Sequence, residues 1–185
     1  AKEIAAGTEG AQTGEPAGGD EDPARDARAW ALFSRAVGDK GNRRAAADAL
    51  YKARAAQQRA LAQAQTERPE EVPKARARLA ALCLDLAAHH AQDRDLDAAL
   101  SHARDAVRHD ATSTQAKVAL ARLHLTRGEA DASERVCADL LKEHPGVLEA
   151  SMILADLMVA KGEYDAAIFH FERLLEQEPR HFSAL

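Results

Sequence analysis

Histidine and cysteine are the residues of this chain best suited to metal or acid–base chemistry, and their spacing argues against both. The sequence has eight histidines and two cysteines. His89 and His90 are adjacent, so on a helix they point to different faces and cannot share a metal ion as an i, i+4 pair can. Cys83 and Cys137 have no CxxC partner and suit a packed core better than a reactive thiol. No GxSxG, Walker or dinucleotide motif occurs either. We therefore predict no catalytic residue, metal or cofactor, and a protein that is not an enzyme.

Composition predicts helices and disfavours two classes of partner. Alanine, the best helix former, supplies 44 of the 185 residues. The formal charge of −5 lacks the concentrated basic patch that binding to nucleic acid needs. No apolar run approaches the length of a membrane span, and no signal-peptide core opens the chain. We expect a cytoplasmic protein without direct membrane insertion, and the missing initiator methionine suggests a segment of a longer chain.

One short pattern occurs twice at a fixed distance and predicts the fold. Segment 128–145 recurs 34 residues later as 162–179, with matching Gly, Glu, Asp, Leu-Leu and Pro residues. This period is the length of a tetratricopeptide repeat, which is a pair of helices. Ala167 and Phe171 keep the repeat's Ala-x3-Phe spacing, and Trp30 occupies its tryptophan position. We therefore predict an all-α fold, a right-handed tetratricopeptide-repeat superhelix (α-solenoid) that forms a segment of a longer array.

The period divides the chain into a linker and four repeats. The first repeat, counted from Ala27, holds 53 residues, which is 19 more than the period. We expect the excess to form a lengthened second helix, Arg43 to Gln65, and a corner at Pro69 and Pro73. The predicted boundaries are 1–22 for a glycine-rich acidic linker, 23–79, 80–113, 114–147 and 148–181 for the repeats, and 182–185 for the start of the next.

The turns inside the repeats share a simple chemistry. Glycine just past a first helix adopts positive φ and closes the helix, as expected at Gly128 and Gly162. In the second repeat Arg94 replaces this glycine, and a left-handed arginine costs about 1 kcal/mol. An aspartate is expected in the first turn of each second helix, where it meets the positive end of the helix dipole. These aspartates are Asp97, Asp131 and Asp165.

Equivalent positions on the first helices predict a binding groove. In stacked repeats the first helices line a concave surface, so residues 34 apart lie side by side there. Arg122 and Asp156 are expected to be neighbours, able to form an exposed pair worth about 0–1 kcal/mol. Two interpretations remain open for the apolar members: they bind a partner helix, or they pack within the superhelix itself. The predicted groove residues are Leu84, Val118, Arg122, Leu125, Met152, Asp156 and Val159.

Parts of the sequence resemble one family of repeat proteins. These parts are the corner segment 67–73 with the stretch that leads from it through Ala80 to Ala106, and the segments 154–158, 164–170 and 174–176. Together they are similar to the large tetratricopeptide-repeat subunit of intraflagellar transport complex A, the tetratricopeptide repeat protein 21 family. The resemblance covers roughly residues 45–185 and includes the long helix and the proline corner, which generic repeats lack.

The resemblance implies a ciliary or flagellar scaffold that holds other complex A subunits in a hetero-oligomer and supports retrograde transport. It implies a location in the cytoplasm, the cilium or flagellum and its base. Two alternatives remain from the repeat pattern alone. One is a peptide-binding adaptor, and the other is a substrate-selecting arm of a larger enzyme, for which groove asparagine ladders would be expected.

Overall fold

The described part of the chain consists of helices and contains no strand, which confirms the predicted all-α fold. The computed structural model describes residues 14–16 and 22–177. It divides into two compact units, Ala1–His89 and His90–Leu185. Most of the predicted linker and the predicted fifth repeat at 182–185 lie outside the described residues. The helices are α1 (Pro23–Gly38), α2 (Arg43–Glu67), a 3-10 turn (Pro69–Glu71), α3 (Val72–Gln92), α4 (Leu96–His109), α5 (Thr114–Thr126), α6 (Ala130–Glu143), α7 (Leu148–Lys161) and α8 (Tyr164–Gln177).

In the first unit, α1 and α2 form a short-linked helical pair whose core is built around Trp30. Asp22 caps α1 by accepting a hydrogen bond from the Arg25 backbone N–H at 3.0 Å. Trp30 packs edge-on against Phe33, with ring centroids 5.8 Å apart. The Lys52 ammonium lies 4.1 Å from the centre of the Trp30 ring, where the ring quadrupole attracts a cation. The core cluster of this unit also includes Ala49, Leu50, Ala53, Leu82 and Leu86.

The extra residues of the first repeat lengthen two helices and not one. Helix α2 runs for 25 residues, two beyond the predicted end, and α3 runs for 21 residues and begins eight before the predicted boundary at Ala80. The corner is narrower than expected because Pro73 is the second residue of α3, a position that needs no backbone N–H. The Gln57 side chain donates to the Ala75 carbonyl oxygen at 3.1 Å, and His89 Nε2 lies 2.8 Å from the Arg43 carbonyl oxygen. These contacts show α2 and α3 running antiparallel along their length. The repeat boundaries themselves stay a prediction.

The second unit contains helices α4 to α8 and a core of leucine, alanine and cysteine. Leu140 and Cys137 on α6 are fully buried against Ile153 and Leu157 on α7. Alanine fills the closest approaches, and Ala99, Ala103 and Ala106 on α4 have no exposed surface. Because interhelical distance depends on the side chains at the contact, small residues here let the helices pack closely.

The turns confirm the predicted chemistry. Gly128 and Gly162 have φ of 85° and 78°, and Arg94 has the same left-handed conformation with φ of 62°. Asp97, Asp131 and Asp165 lie in the first turns of α4, α6 and α8. Capping by Asp95, which accepts from the Ala98 N–H at 3.1 Å, is a feature that the sequence analysis did not single out.

The first-turn aspartates also form ion pairs that repeat with the period. Asp97 lies 3.0 Å from Arg127, and Asp131 lies 3.7 Å from Lys161. Both members of the second pair are displaced by 34 residues from the first. Each ion pair joins the start of the second helix of one repeat to the end of the first helix of the following repeat. Since the side chains are partly solvent-exposed, each pair contributes about 0–1 kcal/mol and mainly fixes register.

We predict that Arg94→Gly stabilises the protein by about 0.5–1 kcal/mol. The substitution removes the strain of a left-handed arginine, which stabilises the folded chain by about 1–2 kcal/mol. Glycine also gives the unfolded chain more conformational entropy, but this destabilises by only about 0.4–1 kcal/mol. Gly162→Ala is expected to destabilise by about 1 kcal/mol for the converse reason. Gly146→Ala is the control, because Gly146 has open space around it and is not left-handed. Urea unfolding followed by circular dichroism measures all three, and a lower midpoint for Arg94→Gly would contradict the prediction.

The corner between α5 and α6 contains a buried histidine that is paired with a partly exposed carboxylate. His124 Nδ1 lies 2.6 Å from Glu129 Oε2, and His124 is almost fully buried. The hydrogen bond from His124 lowers the pKa of Glu129 below its ordinary value of 4.5, with Arg127 adding to the effect. The unfolded chain therefore binds the proton more readily than the folded chain does just below pH 4.5.

We predict that this pair contributes to acid sensitivity. A lowered carboxyl pKa contributes stability above the ordinary value and loses it as pH falls through the folded value. Thermal unfolding midpoints measured from neutral pH to below pH 4.5 should therefore fall less steeply for Glu129→Gln than for the unaltered chain. Glu70→Gln, at an exposed carboxylate on the 3-10 turn, serves as the control. Identical acid slopes for Glu129→Gln and the unaltered chain would rule the contribution out.

Candidate partner-binding groove

Three apolar side chains predicted to line a groove are exposed on α5 and α7. Leu125 on α5 and Met152 and Val159 on α7 have exposed fractions of 37%, 45% and 45%. Helices α5 and α7 are in contact within the second unit. Exposed large apolar residues on adjacent helices are typical of surfaces that receive an amphipathic partner helix. These three residues are called the α5–α7 patch below.

Two other predicted groove residues do not belong to this patch. Val118 is 5% exposed and packs in the core with Ile153. Its position on α5 faces the core, so it supports the helix packing and offers no surface. Leu84 is half-buried on α3 and belongs to the first unit.

The predicted pair between Arg122 and Asp156 is replaced by a different one. Arg122 lies 3.8 Å from Glu149, in the first turn of α7, and both side chains are largely exposed. Side chains on a helix lean towards its N-terminus, so Arg122 reaches the start of α7. A carboxylate in the first turn is already favoured by the helix dipole. Asp156 lies exposed on the same helix as Met152.

A second exposed apolar face lies on α8 and was not predicted as a binding site. Tyr164, Ile168, Phe171 and Leu175 are 37% to 66% exposed and spaced i, i+4, i+7 and i+11. This spacing places them on one face of the helix. Ala167 and Leu174 on the same helix are buried. The helical period of these residues is visible in the sequence, but the pattern did not distinguish core positions from exposed ones.

Two of the histidines and both cysteines lie at partly or fully buried positions. His90 Nδ1 lies 3.4 Å from Asp95, and its ring is 5.3 Å from the ring of His102. Cys83 and Cys137 are buried and form no disulfide with each other, and burial raises the pKa of Cys137 to about 11. A thiol with this pKa is a poor nucleophile near neutral pH.

Residues 14–16 and 22–177 contain neither a cluster of metal ligands nor a membrane-spanning helix. In that part of the chain no group of three or more His, Cys, Asp or Glu side chains is arranged to hold a metal ion. None of the helices described there combines the length and the apolar character that crossing a membrane requires.

Solved structures of low sequence identity share the fold. The crystal structure of MamA aligns with a TM-score of 0.52 at 18% identity, covering 80% of this chain and 95% of that one. YrrB, described as a TPR protein with an unusual peptide-binding site, aligns with a TM-score of 0.52 at 16% identity over 84% of this chain and 88% of its own. A general tetratricopeptide repeat model also matches residues 90–157. These matches agree with an α-solenoid segment.

Family models and relatives are more specific. The model of the fourth ARM domain of tetratricopeptide repeat protein 21 matches residues 13–107, and the fifth ARM repeats domain matches residues 148–185. Tetratricopeptide repeat protein 21B of Xenopus laevis is 31% identical over 75% of this chain and 10% of its own length. Human tetratricopeptide repeat protein 21A is 32% identical, again over 75% of this chain and 10% of its own length. The chain thus spans about a tenth of these relatives, and it belongs to the tetratricopeptide repeat protein 21 family.

Proposed function

We propose that this chain is part of a non-enzymatic scaffold subunit of intraflagellar transport complex A. Membership of the tetratricopeptide repeat protein 21 family carries the proposal, because the matching region 13–107 includes the long α2–α3 hairpin and its corner. A helical repeat fold suits this role, since each helix pair contributes surface to an extended binding platform. The protein acts by spacing and docking other subunits during cilium assembly and retrograde transport.

Its partners are other protein subunits of the complex, which it binds as a member of a hetero-oligomer. The α5–α7 patch supports this part of the proposal, because Leu125, Met152 and Val159 are exposed and apolar. A partner helix laid on the patch would remove that surface from water, worth about 25 cal/mol for each Å² of apolar area. The protein is located in the cytoplasm and at the cilium or flagellum and its base.

A peptide-binding adaptor is a second candidate, because the same patch would also receive a free amphipathic helix. The two candidates differ in the partner. A scaffold retains a fixed set of complex A subunits, whereas an adaptor captures isolated amphipathic peptides.

The scaffold function predicts stable co-purification with complex A subunits. Affinity-tagged protein from ciliated cells should recover these subunits. The double variant Met152→Glu with Val159→Glu should recover at least about tenfold less of them, because two charges would oppose burial of the patch. Both positions are exposed, so the free energy of unfolding should change by only about 0.5 kcal/mol. Recovery is measured by quantitative mass spectrometry, and urea unfolding checks the fold.

Lys142→Glu on α6 provides a matched charge change outside the patch and should leave recovery unaltered. The scaffold proposal fails where the tagged protein runs as a free monomer without complex A subunits. Capture of an amphipathic peptide in place of those subunits would favour the adaptor.

A further inference from the structure

A cleft in the first unit lies between α1 and α3, with α2 at its base. It encloses about 170 Å³, comparable to the cavity of about 150 Å³ that admits a benzene ring in an engineered protein. Ala27, Ala31, Ala81 and Leu82 form its apolar lining. Three arginines also line it, and they are Arg28, Arg35 and Arg78.

The helix directions place these arginines at defined levels. The Ser34 hydroxyl donates to the Ala46 carbonyl oxygen at 2.8 Å, across the antiparallel pair α1 and α2. Helix α2 is in turn antiparallel to α3. Helices α1 and α3 therefore run in the same direction on either side of the cleft. Arg28 and Arg35 are seven residues apart on α1, or about 10 Å along the axis, as are Arg78 and Asp85 on α3.

One end of the cleft has opposite charges on its two walls. Arg35 and Asp85 both line the cleft, and the hydrogen bonds that align α1 and α3 with α2 place them within about one helical turn of the same level. Burial raises the pKa of the Asp85 carboxyl, and Arg35 opposes this effect. This end of the cleft is close to neutral overall.

The same register sets Arg28 and Arg78 on opposite walls at the other end. In the part of the chain that the structure describes, neither guanidinium has a carboxylate within 4.0 Å. Arg28 Nε donates to the Ala24 carbonyl oxygen at 3.1 Å, which leaves its terminal amino groups available. Asp22 lies at the same end near Arg78 but caps α1 through the Arg25 N–H. Two positive charges therefore face a small apolar cleft, and neither forms a close ion pair with a carboxylate of the described residues.

We propose that this cleft docks an acidic segment of a partner protein, with a Glu or Asp carboxylate held between Arg28 and Arg78. The guanidinium fork matches a carboxylate in geometry and charge, and two forks on opposite walls clamp it. The alanine lining leaves room for the aliphatic part of the side chain, and Asp85 disfavours a second acid at the far end. This inference deepens the proposed scaffold function, because it names the chemistry of one docked partner.

The cleft suits a protein segment better than a nucleic acid. Nucleic-acid binding needs a continuous basic surface that follows the phosphates. Here Asp85 interrupts the positive charge about 10 Å from Arg78 along the helix axis, and the whole chain has a net charge of −5. A single carboxylate beside apolar atoms fits this arrangement.

Fluorescence anisotropy with a short fluorescein-labelled peptide of alternating glutamate and leucine tests the proposal on the whole chain. We expect saturable binding that weakens as salt is added. A control peptide with glutamine in place of glutamate should bind with an affinity at least about tenfold lower. Arg28→Glu and Arg78→Glu should each weaken binding by about tenfold or more. Arg44→Glu, an equal charge change at an exposed site on α2 outside the cleft, should alter it by less than about twofold.

Asp85→Asn supplies the test that misfolding cannot imitate. Removing the carboxylate frees Arg35 for a second glutamate, so affinity should rise by about threefold. Any one of three results would overturn the proposal. These are equal losses of peptide affinity for Arg44→Glu and Arg78→Glu, no gain of affinity for Asp85→Asn, and tighter binding of a single-stranded RNA than of the peptide. If the protein does not bind the peptide but still recovers complex A subunits, only the proposed role of the cleft is rejected. Peptide binding without those subunits would reject the scaffold function alone.

Discussion

Alanine at the helix contacts is the constraint on which this structure depends. Ala53 in the first unit and Ala99, Ala103 and Ala121 in the second are completely buried. A methyl group at such a contact brings two backbones close together and leaves little tolerance for a larger side chain. Larger apolar residues on helices of the second unit, among them Met152 and Val159, keep part of their surface exposed for partners. The same composition that closes the core therefore creates the candidate binding surfaces.

Close packing also explains why the turn chemistry repeats. When each helix pair is displaced from its neighbour by one constant step, a charge at the start of one second helix always meets the end of the next first helix. The bridges from Asp97 to Arg127 and from Asp131 to Lys161 are two instances. Neither contributes much free energy, since both are partly exposed. Together the two ion pairs disfavour sliding of one helix pair along the next. Contacts between alanine side chains alone would allow such sliding, because they are similar at every register.

The 34-residue period was sufficient to predict the helices, the left-handed turns and the first-turn aspartates, because these depend on local spacing. Orientation was harder to predict. Val118 is an equivalent of Met152 by number, yet one is buried and the other exposed, since sequence position does not state which side of a helix its neighbours cover. The Arg28 and Arg78 cleft was missed for a different reason. Its register depends on the lengthened α2 and α3, where the period no longer applies.

Departure from the period gives the first unit its distinct chemistry. A regular repeat would set residues that are one period apart side by side. In the first unit, where α2 and α3 are longer, Arg35 and Asp85 lie near one level of the cleft, and Arg28 and Arg78 lie near another. The α5–α7 patch in the second unit is apolar instead. An acidic segment and an apolar helix face are different ligands, so two such surfaces in one chain suit a scaffold that holds unlike subunits better than one that holds copies of a single partner.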